Sequence, residues 1–233
     1  MLDLKGKVAI ITGASSGIGE GTALCFASLG CSLSLTARNK QALERVAKEC
    51  CERGLPRDKV LVVPGDISVE EDVAAVVEKT AKHFGKIDIL VNNAGMAMMA
   101  TIDSATTEQY NRVWETNFRG PLCMIKTALP YLRKTKENAP FGVRVNSVNP
   151  GVIKTALALQ PGTNKDEFLE VLEKMTAAVH ALGRIGTPEE VARCIAFLAS
   201  DNASFVTGIT MPVDGGLLLM SSLSHGTPWD EKK

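Results

Sequence analysis

The sequence is short of the side chains that signal a metal or redox centre. Its 233 residues include three histidines (His83, His180 and His225), scattered too widely to form a ligand cluster. The six cysteines (Cys25, Cys31, Cys50, Cys51, Cys123 and Cys194) form no C-x-x-C pair, and vicinal Cys50-Cys51 gives no metal spacing. Reduced thiols and no metal site are expected. Net charge is also missing. The 26 basic and 26 acidic residues cancel, which argues against a broad nucleic-acid or membrane footprint. No apolar run is long enough to span a bilayer: "KVAIITGAS" near the N-terminus and "LLLM" at 217–220 both fall short, and no cleavage-type segment precedes the first. A soluble, cytoplasmic protein is expected. Aromatic residues make up 5% of the chain, with Tyr110 and Tyr131 its two tyrosines.

What is present is apolar and periodic. Hydrophobic residues make up 45% of the sequence, enough to bury a core. Strand signals at 7–13, 32–38, 59–66, 88–95, 142–148 and 208–216 alternate with helix signals. Continuous apolar runs such as "KVAIITG" suit parallel strands covered on both faces. Ser68 with Glu71 predicts a capping box before a helix that carries Val73, Val76, Val77 and Thr80 on one face. A long helix is expected over Thr106–Lys136, bent near Gly120-Pro121. Thr187-Pro188-Glu189-Glu190 predicts another helix start. No repeat or linker interrupts the chain, and residues 221–233 read as a poorly ordered tail. The expectation is a single α/β domain over 1–233, with a Rossmann-like, doubly wound, mostly parallel sheet.

The first strand ends in "TGASSGIGEG". Gly13 permits a sharp turn, Gly17 lets backbone approach a pyrophosphate, and Gly19 lets the helix pack on the sheet. The helix N-terminus offers free N–H groups there, including that of Ile18, and Ser15 and Ser16 can add hydroxyl donors. In dinucleotide sites an acid at the end of the second strand holds the ribose hydroxyls of NAD(H), whereas an arginine accommodates the extra phosphate of NADP(H). Here that strand ends Thr36-Ala37-Arg38. Arg38 suits a phosphate fork, so NADP(H) is favoured over NAD(H); a solvated loop charge is the alternative.

Taken together, "TGASSGIG", Asp66-Ile67, "NNAG" at 92–95, "WETNFRG" at 114–120, "GVRVNSVNPG" at 142–151 and "GITMPVDGG" at 208–216 resemble the short-chain dehydrogenases/reductases. The resemblance covers nearly the whole chain, in order. It implies a carbonyl or alcohol substrate and a nicotinamide cofactor. It places Asp66 and Ile67 at the adenine, and it has Asn92, Ala94 and Gly95 line the cofactor and stiffen the central sheet. Asn117 would be the asparagine that holds a water in the proton relay. Pro150, Gly151, Ile153 and Thr155 would border the nicotinamide, with 152–186 covering the substrate. Met96, Met98 and Met99, with Leu157 and Leu159, suit either an apolar pocket or ordinary packing.

One part of the resemblance is absent. The family's chemistry rests on a serine at the end of the fifth strand and a Tyr-x-x-x-Lys on the next helix. The physical reason is that oxygen gains charge as hydride reaches the carbonyl carbon, and a tyrosine with an ammonium nearby can protonate it. Tyr110 is followed four positions later by Trp114, and Tyr131 by Thr135. Tyr131 also lies about 20 Å along the helix from Asn117. Ser147 lies in a tempting strand-end phrase, but that phrase runs into Pro150-Gly151, which marks the following strand. In "PYLRKTKENAPFGVRVNSVNPG" (130–151), five residues separate Lys136 from Gly142, where a strand and helix need about thirty more. The sheet is therefore expected to be one strand-helix unit short, either closing up or keeping a gap. The chain is expected to be inactive, a cofactor-binding pseudoenzyme or a non-functional truncated product. The family's homo-oligomer is in doubt.

Overall fold

Val8–Thr12 forms strand β1 and is buried at every position, as a run sandwiched between two helix layers must be. The structure, a computed structural model, describes residues 2–98, 100–135, 142–157, 159 and 164–220. Among these, β1 pairs in parallel with β2 (Ser32–Thr36) on one side and β4 (Ile89–Val91) on the other, and β2 pairs with β3 (Val60–Val62). The strand order is β3-β2-β1-β4. Alternation along the strands feeds two cores. Ala9, Ile11, Leu33 and Leu35 pack with residues of α1 (Gly17–Ser28), α2 (Lys40–Glu52) and α7 (Pro188–Ala199). Ile10 packs on the opposite face with α3 (Glu70–Phe84) and α5 (Gly120–Lys134).

The long helix comes in three pieces. α4 (Thr107–Trp114) starts with a Thr106/Gln109 capping box, a wider π turn spans Glu115–Arg119, and α5 follows. The sequence gives a reason for the widening. Pro121 has no N–H, so the carbonyl of Asn117, four residues earlier, has no α-helical partner.

Beyond α5 the sheet is interrupted. β5 (Ser147–Pro150) pairs in parallel with β6 (Thr210–Val213) as a separate two-stranded sheet. Of the two outcomes expected from the sequence, the structure takes the gap. The strand expected over 142–148 is displaced to Ser147–Pro150, because ladder structure forms only where β6 lies alongside. Residues 144–146 are tied instead to the loop before β6: Arg144 donates to the carbonyls of Val206 and Ser200, and Val145 N–H to the Thr207 hydroxyl. The segment expected to cover the substrate contains a helix, α6 (Lys165–Thr176), capped by Asn164. The Ser68–Glu71 capping box is not formed. α3 starts one residue later, from Val69, because the Ser68 hydroxyl bonds Asp66 at 2.7 Å. The Thr187/Glu190 box does form. The expected tail at 221–233 and the join at 136–141 lie outside the described residues.

The gap leaves a specific set of backbone groups unpaired. Asp88 N–H donates to Val8 at 2.9 Å. Alternation then turns Leu90 N–H toward β1 and those of Ile89 and Val91 outward. No described strand meets them. Native-state hydrogen exchange is expected to show Ile89 and Val91 amides exchanging far faster than Ile10, which lies between two strands. Equal protection would mean that something covers this edge.

Candidate functional site

Because β1 to β4 are parallel, the residues after each strand gather at one end of the sheet. The glycine turn is built as its spacing suggests. Gly13 adopts φ +66°, and a Cβ there would lie 2.8 Å from Ala94 Cα. At Gly19 a Cβ would fall 2.2 Å from the Gly13 carbonyl oxygen, so no other residue lets α1 approach so closely. At Gly17, φ +59°, a Cβ would lie 3.2 Å from Thr155 Cγ2, so the far half of the chain comes down onto the turn. Ser16 precedes α1 in extended conformation without using its hydroxyl as a cap, and Ser15 is half-buried beside it. Ile18 follows in the first turn of α1, behind Gly17.

One residue that sequence reading missed ties the site together. The Thr12 hydroxyl accepts from the N–H groups of Asn93 (3.0 Å) and Ala94 (2.9 Å), while the Asn93 amide donates back to the Thr12 carbonyl at 2.9 Å. This lashes the end of β1 to the turn after β4, and it gives a physical basis for the stiffening expected of "NNAG". Asn92 is exposed, and its amide donates to the Pro121 carbonyl at 3.5 Å. Gly95 sits against Asn117, where a Cβ would lie 3.5 Å from Oδ1. The Asn117 side chain holds Met96 through both ends of its amide: Oδ1 accepts from Met96 N–H at 2.9 Å and Nδ2 donates to the Met96 carbonyl at 2.8 Å. It braces the strand-end loop from the π turn.

Arg38 is exposed at the end of β2. Asp66, after β3, accepts from the Ser68 N–H (3.0 Å) and hydroxyl (2.7 Å). Burial pushes its carboxyl up, but the two Ser68 bonds and the charges of Arg38 and Arg112 outweigh it and hold the group below the usual carboxylate range. Ile67 is buried against Gly120. Thr36, the last residue of β2, has a buried hydroxyl without a partner, alone of its kind among the described side chains.

On the far side, β5 ends at exposed Pro150. Gly151 N–H donates to the Val213 carbonyl at 3.1 Å, and buried Ile153 pairs with Gly186 in an isolated bridge. His180 is buried and has a definite task. Its Nε2 accepts Val152 N–H at 3.2 Å and its Nδ1 lies 2.9 Å from the Thr176 carbonyl, a pairing that fixes the Nδ1–H tautomer. Met96, Met98 and Leu159 are half-buried and Leu157 is exposed; Met99 lies outside the described residues.

One phenol lies elsewhere. Tyr131 lines a cavity of about 450 Å³ with Lys86, Asp88, Lys134 and Thr135. Lys86 and Asp88 precede β4, so this is the opposite end of the sheet from the glycine turn. Tyr110 is 44% exposed on α4. Ser147 bonds Thr210 at 2.9 Å across the β5–β6 ladder. All six cysteines are free thiols, and burial pushes Cys31 and Cys50 up to about 12. Among the described residues no helix is long and apolar enough to cross a membrane.

A glycine turn between β1 and α1, on a parallel sheet lashed at its carboxyl end, is matched by a family model described as short chain dehydrogenase, over residues 7–137. The chain belongs to that family. A second model, described as enoyl-(acyl carrier protein) reductase, matches residues 134–218, so the two meet where the sequence places its join. The chain is 32% identical to the 3-oxoacyl-(acyl-carrier-protein) reductase FabG of Thermotoga maritima, covering 93% of this chain and 99% of that protein. It is also 32% identical to the meso-2,3-butanediol dehydrogenase of Serratia marcescens, covering 95% and 97%. The Thermotoga alignment runs over 254 positions, more than the 233 residues of this chain. A Caenorhabditis elegans short-chain dehydrogenase/reductase of unknown function, solved with cofactor, superposes with a TM-score of 0.85 at 28% identity, covering 96% of this chain and 99% of that one. By family, then, this is a short-chain-dehydrogenase-type oxidoreductase of Rossmann-like fold, and the family binds nicotinamide cofactors.

Replacing Thr12 by valine keeps the shape and removes the acceptor for two N–H groups. The expected loss is about 1–3 kcal/mol, read as a fall of several degrees in melting temperature. An unchanged melting temperature would remove the hydroxyl from this role.

Proposed function

We propose that this chain keeps an NADP(H) site of the short-chain dehydrogenase type but does not turn over a carbonyl or alcohol substrate. The observation that supports the loss of turnover is the placement of its two phenols. When bound, the nicotinamide supplies or accepts a hydride. The oxygen left behind then needs a proton donor beside it. Tyr131 borders the wrong end of the sheet. Tyr110 is an exposed residue of α4. Asn117 has both amide functions committed to Met96. Ser147 is committed to Thr210 within the ladder.

The binding half of the reading rests on the assembled turn. Gly13, Gly17 and Gly19 shape the turn that leads into the N-terminus of α1, where a pyrophosphate would sit. Arg38, after a strand that ends without an acid, favours the extra phosphate of NADP(H). Asp66 and Ile67 would take the adenine. Asn92, Ala94, Pro150, Gly151, Ile153 and Thr155 would border the nicotinamide half. The substrate class follows the relatives, whose names describe a 3-oxoacyl reductase and a butanediol dehydrogenase. The strand-helix unit that would carry the serine, tyrosine and lysine fits the place where the sheet divides and the two family matches meet. A soluble, cytoplasmic protein without the family's usual oligomer completes the reading. A second reading, a product too weakly folded to bind, is favoured by the open edge of β4.

NADPH at a hundred times its dissociation constant is expected to stabilise the protein by about 2.7 kcal/mol, with NADH giving less at the same concentration. Arg38→Ala should erase that preference. Steady-state assays across a carbonyl panel should stay at background. Turnover abolished by Tyr110→Phe would overturn the inactive reading, and no thermal shift with either dinucleotide would favour the weakly folded product.

A further inference from the structure

The phosphate turn carries a charge that works against its expected ligand. Glu20 is the fourth residue of α1, in the first turn. A carboxylate there stabilises an empty helix N-terminus, but it repels a pyrophosphate brought to the same place. One side chain answers it. Arg45, on α2, spans both oxygens of Glu20, with Nη1 at 2.8 Å from Oε1 and Nη2 at 2.8 Å from Oε2. Nη1 also donates to Glu49 at 2.6 Å, and Nη2 to the Ser15 carbonyl at 3.3 Å. The Glu20 bond first, and Glu49 with it, raises the guanidinium pKa further above its ordinary value.

The bond to Ser15 has a geometric consequence. In a trans peptide the carbonyl and the following N–H point in opposite directions. Drawing the Ser15 carbonyl toward Arg45 therefore turns the Ser16 N–H away from it, at the mouth of the helix. The same guanidinium that masks Glu20 also sets the orientation of the turn.

We infer that Arg45 is a positioning residue for the dinucleotide: it braces the phosphate turn through Ser15 and cancels the Glu20 carboxylate that would otherwise repel the pyrophosphate. The second part rests on the proposed cofactor reading; the first stands without it. Arg45 touches no reacting atom and acts through the turn. Lysine would keep the charge but lose the two-pronged fork, so it should substitute only in part.

The test compares wild type with Arg45→Met, Arg45→Lys, Glu20→Gln and the double variant Glu20→Gln/Arg45→Met. NADPH affinity is measured by fluorescence titration at low and high salt, and amide exchange at Ser16–Gly19 is measured without ligand. Arg45→Met should weaken NADPH about three- to ten-fold at low salt and less at high salt, and it should speed exchange at the turn. Glu20→Gln alone should bind at least as tightly as wild type. The double variant should recover most of the affinity lost in Arg45→Met and, unlike Arg45→Met, show the salt dependence of wild type, a signature that a purely structural ion pair would not produce. Arg45→Met binding like wild type, or a double variant binding no better than Arg45→Met, would overturn the charge role. Unchanged exchange at Ser16–Gly19 in Arg45→Met would overturn the brace, whatever the ligand does. If wild type fails to bind NADPH while Arg45→Met speeds exchange, the cofactor reading falls and the brace stands.

Discussion

The Thr12 hydroxyl is the contact on which the carboxyl end of this sheet depends. It accepts from two consecutive N–H groups of the turn after β4. β4 is three residues long and, among the described residues, pairs with β1 alone, so its ladder contributes little to holding that turn. Asn93 returns a bond to the Thr12 carbonyl, and Asn117 holds the next stretch of loop through the N–H and the carbonyl of Met96. The crevice at the strand ends is therefore fixed by three polar side chains rather than by continuous sheet. Gly19 belongs to the same arrangement, since a Cβ there would strike both the Gly13 carbonyl and the Asn93 amide.

The second half of the chain is joined to the first by helices instead of strands. α7 packs on α1, with Gly21 admitting Pro188 to about van der Waals contact. The segment after β5 is secured locally by His180 to Val152, by the Ile153–Gly186 bridge, and by Glu190, which caps α7 and pairs with Arg184. Those bonds to Arg184 and Thr187 hold the Glu190 carboxyl down at about 2. These contacts keep Thr155 against the glycine turn although, among the described residues, no strand links the two sheets. A division of the sheet thus leaves Thr155 against the glycine turn while Tyr131 borders the opposite end of the first sheet.

Much of this was legible because it is local. The buried runs of β1 and β2, the Thr187/Glu190 start of α7 and the three glycines of the turn depend on neighbours a few residues away. So does the bend of the long helix at Gly120-Pro121, which the structure places as a π turn just before those residues. What failed was also local but ambiguous. Ser68 could cap α3 or bond Asp66, and the shorter reach to Asp66 won. The strand read over 142–148 moved because apolar alternation cannot say which neighbour will be present. Thr12, Asn93, Arg45 and His180 went unnoticed as site residues. Their partners lie 81 residues away for Thr12–Asn93 and 25 for Arg45–Glu20, and no short motif encodes such pairs.

The sequence by itself determined the family, the order of strands and helices, the glycine turn and the shortage of a Tyr-x-x-x-Lys pair, because each is a matter of residue identity and spacing. Only the tertiary structure decided that the sheet divides instead of closing up. It also decided that Tyr131 borders the opposite end of β4 from the turn, and that Arg45 of α2 pairs with Glu20 of α1. Those outcomes depend on which backbone edges and charges meet in space, a competition between distant contacts that no stretch of sequence contains.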